Sequence, residues 1–359
     1  MDLRLSEEQQ ALDHAVRRFL GKAASPERVR ASEPLGFDQD TWRGLPAMGV
    51  PAMGVATDAS PSGGGAALAD LAVVAHACGA HLAPVPVVKA MVTHRLLATL
   101  GAASVEPSTV VTMAVRPAVA GRATLVPAGA VAEALVVLDG PRLVLPQRSG
   151  GRTGRAVTNL GRVPLADIEV DVEVDVDVDD GGAGTILATG DDAHRAFARA
   201  LDEWRALTAV WLHGLGSAAL DLGVQYAQDR HQFGVPIGSF QAVQHRLADV
   251  HTDLDGAWLL AQKAVWALDQ RDQRAVKAQD DDASGGQLAS MAFAFAGQAA
   301  EVAAAGALHY HGGYGFMEEY DIQLYFRRAK AARLVLGDPR QDLQVVADRL
   351  FGPVEPRAR

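Results

Sequence analysis

The sequence predicts an α+β fold in three parts, two helical regions on either side of a short β region, and three observations predict it. Apolar residues recur at three- and four-residue spacing through the first hundred residues and again from Ala193 onward. Between about Ser108 and Asp167 the texture changes to short runs rich in Val and Leu, punctuated by Gly and Pro. Near the end, the stretch HYHGGYGFMEEYDIQLYFRRAK (309–330) breaks one long Ala-rich helical pattern with glycines and opens another. These changes divide the chain into 1–104, helical; 105–189, a shortened β domain; and 190–359, helical again.

The elements follow in order. SEEQQALDHAVRRFLGK (6–22) is a helix start, with a Ser cap and acids in its first turn. A short helix is expected from Asp38 to Met48, and DASPSGGG (58–65) is a loop. Helical periodicity covers Ala66 to about Leu82 and Val87 to Leu100, with Pro84 and Pro86 between them. The strands lie in STVVTMAVRP, RATLVPAG, EALVVLDGPRLVLP and AVTNLGRVPL. The alternating EVDVEVDVDVDDGG that follows is an edge strand whose acids discourage edge pairing, or a linker. Four helices are then expected: some forty residues up to about Phe233, Phe240 to about Gln270, Gln287 to His309, and DIQLYFRRAKAARLVLG, ended by Gly337 and Pro339. Gly214, Gly216 and Ala218 form a small-residue strip that lets helices of a bundle approach closely.

Composition narrows the function. At 359 residues, 49% hydrophobic and 21% charged, the chain has enough apolar surface for sizeable cores. A net charge of −10 with no basic tract argues against a nucleic-acid or anionic-membrane surface. The N-terminus lacks an apolar signal core and no apolar run of about 18 residues is unbroken, so a cytoplasmic protein is expected. Cys78, the single cysteine, sits in an apolar helical run and reads as a small buried hydrophobe. No ligand cluster suggests a metal. His213, His245 and His251 lie on helical faces at no shared spacing and read as structural, with His213 a pocket candidate.

The 309–330 stretch carries more chemistry. Gly312, Gly313 and Gly315 remove side chains where a backbone or a flat ligand must come close, and Glu318 and Glu319 follow at once. Glycines followed by a placed carboxylate suit proton abstraction beside a flat cofactor. The same pattern also suits a plain surface turn, and these residues alone leave both readings open.

Together with YAQDRHQFGVPIGSFQAVQHRLAD (226–249), this stretch closely resembles the acyl-CoA dehydrogenase flavoproteins. The earlier segment matches their R-x-Q-F-G-x-P-I-G-x-F-Q signature, and the later one their glycine pair with G-F-x-x-E-[YH]. The resemblance implies an N-terminal helical domain, a middle β-barrel-like domain and a C-terminal four-helix bundle. It implies FAD between the middle domain and the bundle, the dinucleotide end reaching a neighbouring subunit. By the same resemblance, Arg230 holds the FAD diphosphate with Gln232 and Phe233. Gln241 faces the cofactor, Gly312 and Gly313 admit it, and His309 stands where many members carry glutamine. Glu319 is implied as the base that takes the α-proton of an acyl thioester, because the alternative position in some members is Trp204 here. Arg205 is implied near the substrate.

Departures from the family pattern concentrate in the middle. Its T-E-P-x-x-G-S-D and W-I-T-N segments are absent between 105 and 170 unless VTNL (157–160) is a remnant, and its C-terminal E-G-T segment reads LVLGDPR. Short chains of this kind resemble actinobacterial members that act on steroid side-chain or other unusual CoA thioesters. The expected function is α,β-desaturation of an acyl-CoA with electrons passed to an electron-transfer flavoprotein, in a homotetramer or a heterotetramer with a homologous subunit. Two alternatives stand beside it: a non-catalytic, flavin-deficient subunit of a hetero-oligomer, and a dehydrogenase of acyl groups on a carrier protein.

Overall fold

The computed structural model describes residues 3–33, 35–56, 64–102, 105–146, 154–170, 184–274 and 282–352. The chain divides into two compact units, Phe19–Leu71 with Ala83–Trp204, and Met1–Arg18 with Ala72–Leu82 and Arg205–Arg359. Helices α1 (Glu7–Ala23), α4 (Leu68–Ala80) and α6 (Gly190–Asp229) each run from one unit into the other.

The opening helix begins as its residues dictate. The Ser6 hydroxyl accepts from the Gln9 N–H, and the Gln9 side chain returns the favour to the Ser6 N–H. Helix α2 (Pro26–Ala31) has no counterpart in the periodicity reading, because six residues are too few to show a period. Its signals are local: Ser25 caps it and proline holds its first position. Helix α3 (Gln39–Gly44) is capped by Asp38, which accepts from the Thr41 N–H.

In the first unit, helix α5 (Val87–Thr99) packs on strand β1 (Val111–Met113). Strands β2 (Arg122–Val126), β3 (Ala134–Asp139), β4 (Arg142–Leu145), β5 (Arg155–Ala156), β6 (Ala166–Glu169) and β7 (Thr185–Thr189) follow. They form two sheets, β1-β3-β4-β7 and β2-β6-β5, with β1 parallel to β3 and the other pairs antiparallel. Among the described residues neither sheet closes, so the barrel-like expectation gives way to two open sheets. Each ends in a strand of two to five residues with no further ladder partner. They share one core built from Ala114, Val126, Leu135, Val137, Val144, Ala166 and Ile168. Strand β7 was not expected. The acid–valine run lies mostly in 171–183, outside the described residues, as does most of the 58–65 loop. Trp42 is buried and its indole N–H donates to the Ser108 carbonyl at 2.7 Å, satisfying the one polar atom of a large core side chain.

The second unit is the bundle. It is built from α6, α7 (Gln241–Arg274), α8 (Asp282–His311) and α9 (Ile322–Arg333), closed by α10 (Pro339–Phe351). Helices α7, α9 and α10 all pack on α8. The small-residue strip does what its composition predicts: a Cβ on Gly214 would lie 2.2 Å from the His76 carbonyl oxygen, and one on Gly216 3.1 Å from Ala300 Cα. Gly79 is equally committed, its Cβ position 2.0 Å from the Trp211 carbonyl oxygen. Glu301 on α8 ties down α9 through Lys330 and Arg333, both at 2.6 Å. Helices α6 and α8 are long and apolar enough to cross a membrane by length and composition, and most of each apolar window is buried inside the fold.

Candidate functional site

The two motifs meet at one end of the bundle. Helix α6 stops at Asp229, and the chain turns back through a minimal hairpin, β8 (His231–Gln232) and β9 (Val235–Pro236). A two-residue loop of this kind needs left-handed backbone at both positions, and Phe233 (φ +53°) and Gly234 (φ +82°) supply it. Glycine suits such a position; phenylalanine does not. Phe233 is also 94% exposed, touching the Phe240 ring edge-on at 6.2 Å. A large apolar side chain held in strained backbone and left in solvent is not explained by this unit's own packing. The loop then returns to α6: a Cβ on Gly238 would come within 3.0 Å of the Ala227 carbonyl oxygen.

One turn before Arg230, Tyr226 stacks on His311, with ring centroids 4.0 Å apart and planes 26° apart. His311 is buried and its Nδ1–H donates to the Ala307 carbonyl at 2.8 Å, which fixes the ring. Helix α8 ends there, and the turn Gly312–Phe316 follows directly. Tyr320 meets the same imidazole edge-on at 6.1 Å, anchoring the turn that carries Glu318 and Glu319. Tyr226 and His311, neither singled out in the sequence, therefore join the arginine signature to the glycine turn. An aromatic one turn before the signature arginine is the signal that would have found the first.

The three glycines have three different reasons. Gly312 needs its left-handed φ of +59°. Gly315 needs its missing side chain, since a Cβ would lie 2.7 Å from the Leu308 carbonyl oxygen. Gly313 needs neither: it has no left-handed φ, and a Cβ there would meet nothing within 4 Å. The space over Gly313 is open to something from outside. Arg230 is exposed, and among the described residues its side chain forms no hydrogen bond or ion pair. Gln232, Gln241 and His309 are exposed as well. A free guanidinium and an open glycine backbone, on elements joined by the Tyr226–His311 stack, fit a diphosphate and a flat group, so the residues present fit FAD.

The other expected residues fall differently. Glu318 and Glu319 are exposed on a turn that precedes α9 rather than opening it. Arg205 is buried in the bundle, where its charge and that of Arg333 reach the buried Asp342, although burial still leaves that carboxyl above its usual range. Trp204 is buried beside it in sequence. Tyr226 lies twenty-one positions after Arg205 along α6, roughly 30 Å at 1.5 Å per residue. The structure thus gathers Arg230, Phe233, Gly312, Gly313 and Glu319 at one end and sets Arg205 well apart from them. In the VTNL segment, Asn159 spends its side chain on its own loop, donating to the Val157 and Val163 carbonyls and accepting from the Val163 N–H.

His213, the pocket candidate, belongs to a packed polar chain. Arg17 can only donate, so His76 Nδ1 accepts from it at 2.9 Å, and His76 Nε2–H donates to His213 Nδ1 at 2.9 Å. His213 Nε2–H is then left for Ser217 Oγ at 3.3 Å. Trp258 packs against both rings, at 5.1 and 4.8 Å. Burial pushes the two imidazoles down to about 3 and about 4, so both are neutral. Cys78 is buried too, its thiol pushed up to about 12 and inert.

Comparison with known proteins places this arrangement. The model of the acyl-CoA dehydrogenase N-terminal domain matches residues 6–106, and that of the C-terminal domain matches residues 194–351. The acyl-CoA dehydrogenase IpdE2 of Mycolicibacterium smegmatis is 31% identical over 354 residues, 97% of this chain and 100% of its own length. A solved variant of the Tcur3481–Tcur3483 steroid ACAD superposes with a TM-score of 0.79 at 25% identity, covering 96% of this chain and 98% of that one. Butyryl-CoA dehydrogenase of Megasphaera elsdenii shares the fold, with a TM-score of 0.81 at 18% identity over 98% of this chain and 100% of that one. With its signature loop, its glycine turn and matches spanning both helical regions, the chain belongs to the acyl-CoA dehydrogenase family of FAD-dependent oxidoreductases.

Proposed function

We propose that the chain works as a subunit of a cytoplasmic acyl-CoA dehydrogenase that introduces an α,β double bond into an acyl thioester, with Arg230 and the glycine turn holding FAD. The observation that carries this is that the free, exposed Arg230 and the open backbone of Gly313 lie on elements joined by the stack of Tyr226 on His311. Arg230 takes the diphosphate in forked hydrogen bonds, Gln232, Gln241 and His309 add polar contacts, and Phe233 covers an apolar part of the cofactor. FAD, when bound, accepts the hydride that leaves the β-carbon. Glu319 takes the α-proton onto its carboxylate, and needs cover from a substrate or neighbouring subunit to gain basicity, since it is exposed in this chain. Electrons pass onward to an electron-transfer flavoprotein. The IpdE2 relative supports an acyl-CoA as the substrate, and the steroid ACAD neighbour a steroid-derived one.

The exposure of Glu319 and its distance from Arg205 favour a second reading, in which this chain supplies the cofactor-contacting end to a homologous subunit that carries out the proton abstraction. One experiment separates the two. The full chain, alone and co-expressed with a homologous subunit, is titrated anaerobically with straight-chain, branched and steroid CoA esters while flavin absorbance is followed. Bleaching by the chain alone, abolished in Glu319→Gln with FAD still bound, establishes Glu319 as the base. Bleaching that survives the substitution excludes it, and a colourless chain that yields flavin only as a complex establishes the second reading.

A further inference from the structure

Helix α10 lies one residue out of step with its own apolar stripe. Leu343 and Leu350 stand seven residues apart, about two turns, and so share a face. That face meets solvent: the two leucines are 61% and 48% exposed, and Phe351 beside them is 85% exposed. The face turned into the bundle begins one residue earlier, where Asp342 is buried and, two turns on, Arg349 has a buried guanidinium nitrogen. A helix packed on a neighbour, as α10 is on α8, ordinarily buries its leucines and exposes its acid; α10 does the reverse. The buried carboxyl gains little from its place, since among the described residues Asp342 forms no hydrogen bond or ion pair. The charges that face it are Arg205 on α6 and Arg333 at the end of α9, and Glu301 of α8 already holds Arg333 at 2.6 Å. Both ends of the helix are free to pivot, because glycines in left-handed backbone flank it: Gly337 (φ +113°) before the Asp338 cap and Gly352 (φ +80°) after the last turn.

We infer that α10 is a two-position helix: a roll of one residue, about 100° about its axis, turns Leu343 and Leu350 into the bundle and Asp342 out to solvent. In the position seen here Asp342 offsets the Arg205 charge; in the rolled position it no longer does, and Arg205 is left to act on an anionic group of a substrate. That last consequence alone rests on the proposed function; the roll does not. Ionisation of Asp342 sets the balance, because burial outweighs the two arginines and holds the carboxyl above its usual range. Below the usual carboxylate range Asp342 is neutral in either position, and burying it costs no charge. As pH rises through that range and then the raised one, the rolled position, which solvates the carboxylate, gains on the other.

Thiol labelling tests the roll, because Cys78, the single native cysteine, is buried and inert. The full chain carrying Leu343→Cys, and separately Leu350→Cys, is labelled with a maleimide from about pH 4.5 to about pH 8. Each rate is divided by that of a cysteine peptide at the same pH. The expected result is a relative rate that falls at least tenfold as pH rises, in both variants, and stays high throughout once Asp342→Asn is added, since a neutral side chain keeps its buried place. Labelling that is fast at every pH overturns the inference, because the stripe then never turns inward. Labelling that is slow at every pH overturns it too, because the stripe is then covered by something else. So does a fall that persists with Asp342→Asn, which is what acid unfolding would give, or a fall in only one of two folded cysteine variants. Where one of them does not fold, the other decides.

Discussion

Two regions of the bundle handle their polar and aromatic residues in opposite ways. Around His76 and His213, each imidazole nitrogen has a partner and the helices have closed on one another until only glycine fits at 214. At the other region, a phenylalanine stands in left-handed backbone in solvent, an arginine has no partner among the described residues, and a glycine faces open space. The first region is complete within the chain; the second is not. Folding tends to relieve backbone strain and to bury large apolar side chains, so a place where it has done neither marks something to be bound.

The largest expected effect breaks the completed region. Gly214→Val would drive a side chain into the His76 carbonyl, where the neighbour is backbone and cannot step aside. We expect a loss of about 3 kcal/mol or more in denaturant unfolding, and a loss below about 1 kcal/mol would mean that the helices part easily.

Acid gives the next effect. An unfolded histidine takes its proton near 6.5, whereas His76 and His213 resist until about 3 and about 4. Both rings are neutral in either state above pH 6.5, so this contribution is then fully present. Below 6.5 the unfolded state binds protons that the folded state refuses, and stability falls by up to about 1.4 kcal/mol per pH unit for each ring. Unfolding free energy measured from pH 7 to 5 should decline, and the double variant His76→Phe with His213→Leu should flatten the slope. An equally steep decline in that variant would place the sensitivity elsewhere.

The smallest effect runs the other way. Phe233→Asn puts a residue tolerant of left-handed backbone into the hairpin, and should raise stability by about 1 kcal/mol while weakening FAD retention. A variant that gains stability and keeps its flavin would show that Phe233 has no part in the cofactor contact.

Much of this contrast was legible in the sequence, and the limits have physical causes. The forty-residue period of α6 and the Gly214 strip fixed the bundle, because long periodic helices and close helix approach leave direct marks. The signature at 230–241 and the glycine pair were equally visible. Which glycine served which purpose was not, since Gly312, Gly313 and Gly315 differ only in φ and in what surrounds them. The pairing of His76 with His213 joins residues 137 positions apart, and no local pattern encodes it. Helix α2 and strand β7 were too short for periodicity, and the two open sheets depend on pairings that a list of strands does not specify. The separation of Arg205 from Glu319 likewise became visible only through the stack of Tyr226 on His311, which puts the glycine turn at the far end of α6.

The comparison rests most directly on Gly313, the one glycine of its turn that the fold itself does not require. FAD content per chain should be measured for Gly313→Val against the unchanged protein, alone or with its co-expressed homologue, alongside the melting temperature. We expect at least a tenfold loss of bound FAD, with the unfolding stability of the flavin-free protein within about 0.5 kcal/mol of the original. A variant that retains its full complement of FAD would contradict it.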